Sequence, residues 1–267
     1  MHYEVLVVGE NIEEILEPFQ IGGKEVHPIE KLEFEDQEDE LRERASKVIT
    51  SDSWAGGKHP EAVGKTYLEY YGNGDFDKFA MEWSGVEKDD ITGRYGYWTN
   101  RNGHWDWYEI GGRWTGEIKI KAGAKGSLGV PGVPQQLGLA PYEIREDYVD
   151  SARKKDIDFA AMHSNIHEDL REQYIAWHTA SEKERESFWI PESAIPKEGE
   201  TEVEYAERLF TPWSCYAIII NGQWFASAYY DRKAEKWVDI PNWKKVFWDK
   251  LNSVDGDELI TIVDMHA

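Results

Sequence analysis

Residues 214–229 have the sequence SCYAIIINGQWFASAY, and this stretch decides the fold class. Two runs rich in apolar residues, Ser214–Ile220 and Gln223–Tyr229, flank the dipeptide Asn221-Gly222. Because Asn and Gly tolerate the positive φ angles of a tight two-residue loop, this pattern predicts a β-hairpin.

The elements on either side of this hairpin extend the prediction. Residues Asn242–Leu251 place apolar side chains at helical spacing, and Leu259–Val263 is a short β-branched run typical of a buried strand. At the start of the chain, Tyr3–Val8 predicts another buried strand, and Ile12–Phe19 has the apolar spacing of one helix face. The order β-α followed by β-β-α-β predicts an α+β protein with a ferredoxin-like split βαβ core and large insertions.

The predicted domain organisation is a single α+β domain over residues 1–267. We expect its core to come from residues 1–20 and 212–267, with an aromatic-rich insertion over residues 21–211. A chain of 267 residues, 40% of them hydrophobic, can bury such a core. The Gly/Pro-rich stretch Ala122–Pro141 is expected to form a loop.

Three features of the sequence favour a cytoplasmic protein with no membrane partner. No apolar run approaches the ~20 residues that a membrane span needs. Met1–Val8 lacks the basic start and long apolar stretch of a signal peptide. The lone Cys215 excludes an internal disulfide and any zinc site built on several cysteines.

The charge balance bears on the class of partner. The chain has 52 acidic and 30 basic residues, a net charge of −22, which argues against long DNA or RNA because these need a basic face. A small anionic ligand in a locally basic pocket is still allowed. The stretch Glu10–Glu43, with 13 acids and 3 bases, keeps open an acidic decoy that mimics nucleic acid, or simple solubilisation.

The densest set of side chains suited to binding lies within Tyr95–Trp114, which predicts two short strands around a turn at Asn102-Gly103. Gly111-Gly112 allows close approach of the backbone to a ligand, and the planar guanidinium of Arg113 suits phosphate. Neighbouring aromatic rings could stack on a base. The alternative is that the aromatic residues are core and that Arg113 pairs with an acid. The candidate ligand-binding residues are Arg113, Trp105, Trp107, Tyr108, Trp114 and Asn100.

Acid-base candidates lie within Tyr95–Trp114, the aromatic block, and at the end of the last strand. Asp264 and His266 share one face of that strand, so they could form a base and its orienting carboxylate, or ligate a divalent metal ion, or belong to a solvated terminus. His104 and Asp106 complete the catalytic candidates. His163 and His167, spaced i, i+4 on a predicted helix, suit zinc or a solvated helix face. Apart from the divalent metal ion that Asp264 and His266 could ligate, the sequence identifies no cofactor. It does not fix the metal ligands.

The aromatic block resembles a family of poorly characterised proteins encoded by tailed phages and some bacteria. The resemblance rests mainly on Trp105-Asp106-Trp107-Tyr108 followed by Ile110-Gly111-Gly112-Arg113-Trp114. Weaker points of likeness span both ends and the middle of the chain; they are Tyr97–Asn100, Val7–Gly9, Leu16–Phe19, Ala152–Asp158 and Thr261–His266. Met265 departs from the pattern, where the family has a small residue or Cys. The family has no established activity, so the resemblance implies a phage context and the cytoplasm of the host cell.

The sequence thus favours a phage accessory protein that binds a small nucleotide, such as a host immune signal, in an aromatic pocket with Arg113, and so counters host defence. Hydrolysis of phosphodiesterase type and sequestration as a nucleotide sponge are both open. A non-catalytic acidic decoy or interaction protein, and a structural module of the virion, are the rival hypotheses. The oligomeric state is not fixed, and a homo-oligomer is allowed.

Overall fold

A computed structural model describes residues 1–131, 145–188, 190–231 and 234–267 of the chain. The residue contacts divide the chain into two compact units. The sheet unit consists of Met1–Glu17 and Trp107–Ala267, and the middle unit consists of Pro18–Asp106.

Both units contain strands and helices. In chain order, the strands are β1 (His2–Val8), β2 (Glu33–Asp36), β3 (Glu87–Lys88), β4 (Tyr95–Thr99), β5 (Trp107–Gly112), β6 (Ile118–Lys119), β7 (Gly126–Ser127), β8 (Val130–Pro131), β9 (Tyr148–Val149), β10 (Ser151–Arg153), β11 (Ala217–Ile220), β12 (Gln223–Ala226), β13 (Ala228–Asp231), β14 (Lys236–Asp239) and β15 (Leu259–His266). The α-helices are α1 (Ile12–Leu16), α2 (Glu38–Ser46), α3 (Trp54–Lys58), α4 (Tyr67–Tyr71), α5 (Phe76–Lys78), α6 (Phe159–Thr179), α7 (Glu182–Arg185), α8 (Glu202–Leu209) and α9 (Trp243–Ser253). None of the helices in the described ranges is both long and apolar enough to cross a bilayer.

The main sheet of the sheet unit has the strand order β12-β11-β1-β15-β10-β7. Strand β5 pairs with the last residues of β15, and β8 pairs with β5. Strand β1 runs parallel to β11 and antiparallel to β15, so the sheet is mixed. Together with the helices, this confirms the predicted α+β class.

The order of the strands differs from a split βαβ core, and a ferredoxin-like core is not confirmed. In that arrangement the second strand of the hairpin would lie beside the first strand of the chain. Here the first hairpin strand, β11, takes that place and runs parallel to β1. Both strands are buried along their centres, at Val5–Val7 and Ala217–Ile220, as parallel neighbours in the middle of a sheet are.

The core of the sheet unit lies between one face of this sheet and its helices. Leu6, Ile218 and Ile262 are fully buried there and cluster with Phe247 and Leu251 of α9. The predicted hairpin is confirmed, with φ angles of 52° at Asn221 and 69° at Gly222.

The boundaries predicted for the core, residues 1–20 and 212–267, differ from those of the sheet unit. Strands β5, β7, β8 and β10 come from the stretch predicted as an insertion, yet they join the same sheet. Much of the predicted loop Ala122–Pro141, namely residues 132–141, lies outside the described residues, while β7 and β8 fall in its first half.

The middle unit holds a three-stranded sheet in the order β2-β4-β3. Its core includes Phe79 and Tyr95, packed with the aromatic ring of Trp83. The two strands predicted within Tyr95–Trp114 are therefore present, but they do not pair with each other, because β4 belongs to this sheet and β5 to the main sheet.

Candidate functional site

The strand register brings two rows of polar and aromatic side chains onto one face of the main sheet, where β1, β15 and β5 lie side by side. Residues directly opposite each other on antiparallel strands point to the same face, so each row crosses all three strands. The outer row is His2, His266 and Trp107, and the inner row is Glu4, Asp264 and Glu109.

A carboxylate-imidazole pair forms where these rows meet. Asp264 is fully buried, and its Oδ1 lies 2.8 Å from Nδ1 of His2, whose side chain is 20% exposed. An ionised Asp264 can only accept, so Nδ1 of His2 donates in this bond, and in the neutral form of the imidazole Nε2 then has a lone pair. This is the arrangement of a general base held in place by an orienting carboxylate.

The sequence prediction paired Asp264 with His266, and the structure gives that hydrogen bond to His2. His266 does share a face with Asp264, as predicted, but its ring lies edge-on to the ring of His2 at a centroid distance of 4.9 Å. The pairing of His2 with His266 across β1 and β15 has no signal in the sequence, because the register of strands so far apart is not visible there.

A glycine turn after β5 encloses the Asp264 carboxylate. Gly111 and Gly112 have φ angles of 77° and 55°, in the left-handed region that favours glycine. A Cβ atom on Gly112 would lie 2.4 Å from the Cβ of Asp264. The turn also aims the backbone N–H of Arg113 at Oδ2 of Asp264, at 3.0 Å. Gly112 is therefore required both for the conformation and for the space.

A second buried carboxylate, Asp150, holds the next part of the chain in the same way. Its oxygens accept the backbone N–H groups of Gly116 at 2.6 Å and of Gly129 at 2.7 Å. These bonds fix the segment that follows Arg113, so the position of Arg113 is set from both sides.

The side chain of Arg113 makes little use of its donors. Its Nε lies 3.9 Å from Oδ2 of Asp264, beyond hydrogen-bond range, and has no acceptor among the described residues although the atom is buried. The side chain is 37% exposed. The exposed part of the guanidinium, as distinct from the buried Nε, could donate to the oxygen atoms of an anion.

Trp107 and Tyr108 differ in what they offer to a ligand. Trp107 is 41% exposed and lies 5.9 Å from the His2 ring. Part of the indole is therefore accessible beside the His2–Asp264 pair, which we call the dyad. Tyr108 pairs with Met265 on the opposite face of the sheet. Burial, and to a lesser extent Glu13, raises the pKa of the Tyr108 hydroxyl.

The inner row adds negative charge to the site. Burial first, and then the neighbouring Asp264 carboxylate, raise the pKa of Glu109. Acid-base groups with shifted pKa values in a partly exposed cluster are typical of functional sites.

The remaining candidates have other surroundings. Trp114 packs against the hydrophobic core of the sheet unit. Trp105, His104, Asp106 and Asn100 belong to the middle unit, in which Trp105 is 7% exposed. Burial lowers the pKa of His104 to about 4, so this imidazole is neutral at pH 7.

Asn100 is used within the middle unit itself. Its Nδ2 donates to the carbonyls of Pro18 and Gln20, both at 2.9 Å, and its Oδ1 accepts from the N–H of Asn102 at 3.0 Å. This set of bonds is that of a residue that stabilises a turn. A role in ligand binding or catalysis stays a prediction for all four candidates in the middle unit, namely Asn100, His104, Trp105 and Asp106.

The structure assigns no metal site. In the described part of the chain, no group of three or more His, Cys, Asp or Glu side chains could hold an ion. His163 and His167 do lie on α6, but the His167 ring stacks on Phe210 at 4.1 Å and His163 packs against Trp248. Both rings are packed against aromatic neighbours. This packing differs from a zinc site and from a solvated helix face, the two alternatives that the sequence suggests.

Comparisons with known proteins add nothing to this geometry. No family model, no curated protein and no solved structure matches the chain. The resemblance to the tailed-phage family therefore stays a prediction.

Proposed function

We propose that the chain binds a small nucleotide beside the His2–Asp264 dyad and hydrolyses a phosphodiester bond in it. The observation that carries this proposal is the 2.8 Å contact between a fully buried carboxylate and a partly exposed imidazole, next to the partly exposed guanidinium of Arg113.

The proposed roles follow from the chemistry of each group. Nε2 of His2 takes a proton from the attacking water, while Asp264 fixes the ring and stabilises its charged form. Arg113 donates to the phosphoryl oxygens, where negative charge grows in the transition state. The accessible face of Trp107 stacks on the base, as aromatic side chains do in many nucleotide sites.

The biological setting of the proposal comes from the sequence resemblance. In a phage accessory protein, the nucleotide would be a host immune signal and its hydrolysis would counter host defence in the host cytoplasm. Sequestration without turnover is the main rival, and an acidic decoy is the second, supported by the net charge of −22.

The first experiment is a thermal-shift screen of the purified protein against mononucleotides and cyclic oligonucleotides, with and without Mg²⁺. A ligand at ~100-fold over its Kd should stabilise the protein by about 2.7 kcal/mol. Each ligand that binds is then incubated with the protein, recovered after denaturation and analysed by chromatography.

Variants of two histidines separate catalysis from binding. We expect His2→Ala to slow turnover by ~100-fold or more while the thermal shift is retained. The control is His178→Ala, at an exposed position of α6. Recovery of every bound ligand intact from wild-type protein would refute hydrolysis and leave a sponge, and the absence of any thermal shift would refute nucleotide binding.

A further inference from the structure

Two carboxyl groups beside the His2–Asp264 pair act on each other. They belong to Glu4, in β1, and Glu117, just before β6. The Cys215 thiol donates to Oε1 of Glu4 at 3.2 Å, and the Trp213 indole N–H donates to Oε2 of Glu117 at 3.2 Å. Two carboxylates that share a largely buried site repel each other when both are ionised, so a state in which one of them is protonated is favoured.

The surroundings keep that proton in place. Within the described ranges neither carboxyl has an ion pair, and the charged groups that face them are acids: Asp264 lies opposite Glu4, and Asp150 acts on Glu117. Burial first, and the neighbouring Glu117 second, raise the pKa of Glu4 well above its usual range. Burial also raises the pKa of Glu117. Such a pair titrates as a unit, and its first ionisation leaves one shared proton.

The location of the pair relates it to the dyad. Glu4 and His2 lie on the same face of β1, two residues and therefore about 7 Å apart. The His2 side chain is partly exposed, and the residue Glu4 keeps some exposed surface although its carboxyl is largely buried. His2, a base that is hydrogen-bonded to Asp264, and Glu4, an acid that neighbours Glu117, thus lie side by side.

We propose that Glu4, sharing one proton with Glu117, is the general acid of this site and protonates the leaving oxygen of the nucleotide. This inference rests on the proposed function. In the step, water loses a proton to Nε2 of His2 as its oxygen bonds to phosphorus. The bond from phosphorus to the leaving oxygen breaks, and that oxygen takes the Glu4 proton. Transfer of the proton from His2 through solvent to the carboxyl pair restores both groups.

The presence of the shared proton can be tested without substrate. Infrared difference spectra at neutral pH should show the carbonyl band of a protonated carboxylic acid in wild-type protein, and both Glu4→Gln and Glu117→Gln should remove it. Gln mimics a protonated Glu in size and can still donate, so both variants should fold, which urea unfolding checks. The exposed Glu258→Gln is the control and should keep the band. Absence of the band from wild-type protein would overturn the proposal.

The acid role is tested with two esters that differ in the leaving group. Dithymidine monophosphate needs a proton on its leaving alkoxide, whereas thymidine 5′-(p-nitrophenyl phosphate) releases a stable phenolate without one. Glu4→Gln should slow cleavage of the dinucleotide by ~100-fold or more and slow the nitrophenyl ester far less. Glu117→Gln keeps Glu4 as the acid but removes the neighbouring negative charge, which stabilises the ionised form of Glu4. The alkaline limb of the pH profile for cleavage of the dinucleotide should therefore move to lower pH.

The outcomes distinguish the two proposals. Equal loss on both esters in Glu4→Gln would overturn the acid role while the proposed hydrolysis stands. A wild-type protein that cleaves neither ester, nor any ligand found in the thermal-shift screen, would refute the proposed function, and the acid role would fail with it.

Discussion

Substitution of Gly112 by Ala should be far more damaging than a glycine substitution usually is. Two costs add at this position. A non-glycine residue at a positive φ such as 55° costs roughly 1–2 kcal/mol. The new Cβ would also lie 2.4 Å from the Cβ of Asp264, which is fully buried and cannot move without losing a hydrogen bond to His2 or to the Arg113 N–H. Loss of one such bond to a charged group costs about 1.5–3 kcal/mol.

The chain offers a matched control for this prediction. Gly123 also has a positive φ, 80°, but a Cβ placed there would have no atom within 4 Å. Gly123→Ala should therefore show only the conformational cost of roughly 1–2 kcal/mol, against about 2.5–5 kcal/mol for Gly112→Ala. Urea unfolding measures both, and the comparison requires an unchanged m-value. Equal losses of stability in the two variants would refute the account of the turn as the support of Asp264.

The other predictions concern the ligand, the pH dependence and the acidic segment. Arg113→Lys should weaken nucleotide binding by ~1–3 kcal/mol in calorimetric titrations with little change in stability, because a point charge cannot replace a planar fork; equal losses of both would make Arg113 a structural residue. Because the pKa values of Glu4 and Glu117 are raised, the contribution of these groups to stability is fully present at low pH and is lost as the pH rises above the ordinary value of 4.5. The Tm of wild-type protein should therefore fall over that pH range more steeply than the Tm of Glu4→Gln. Neutralising several acids between Glu33 and Glu43 should leave nucleotide turnover intact, and a loss of activity in protein that still folds would favour the acidic decoy.

Local elements could be predicted from the sequence because their causes are local. The Asn221-Gly222 dipeptide specifies its own turn, and the predicted strands at both ends of the chain are present. A capping box at Thr201 and Glu204 has the sequence pattern that begins a helix, and it does begin α8.

Pairings between distant segments could not be predicted in the same way. Nothing near His2 in the sequence indicates that its partner is Asp264, since the contact depends on the register of β1 against β15. The residues of the aromatic block predict one site because they are consecutive, yet the chain passes from the middle unit to the sheet unit between Asp106 and Trp107. Trp105 is buried and Trp107 is exposed, although only one residue separates them.

The His2–Asp264 hydrogen bond also determines when during synthesis the proposed site can form. Its two residues are 262 positions apart. At ~5–20 residues per second, a ribosome adds Asp264 roughly 13 to 52 s after His2. Until then β1 lacks its antiparallel neighbour, and the growing chain has neither the orienting carboxylate nor the acceptor for the Arg113 N–H. A prematurely terminated chain would therefore lack the proposed site, which could form only if a separate peptide supplied β15.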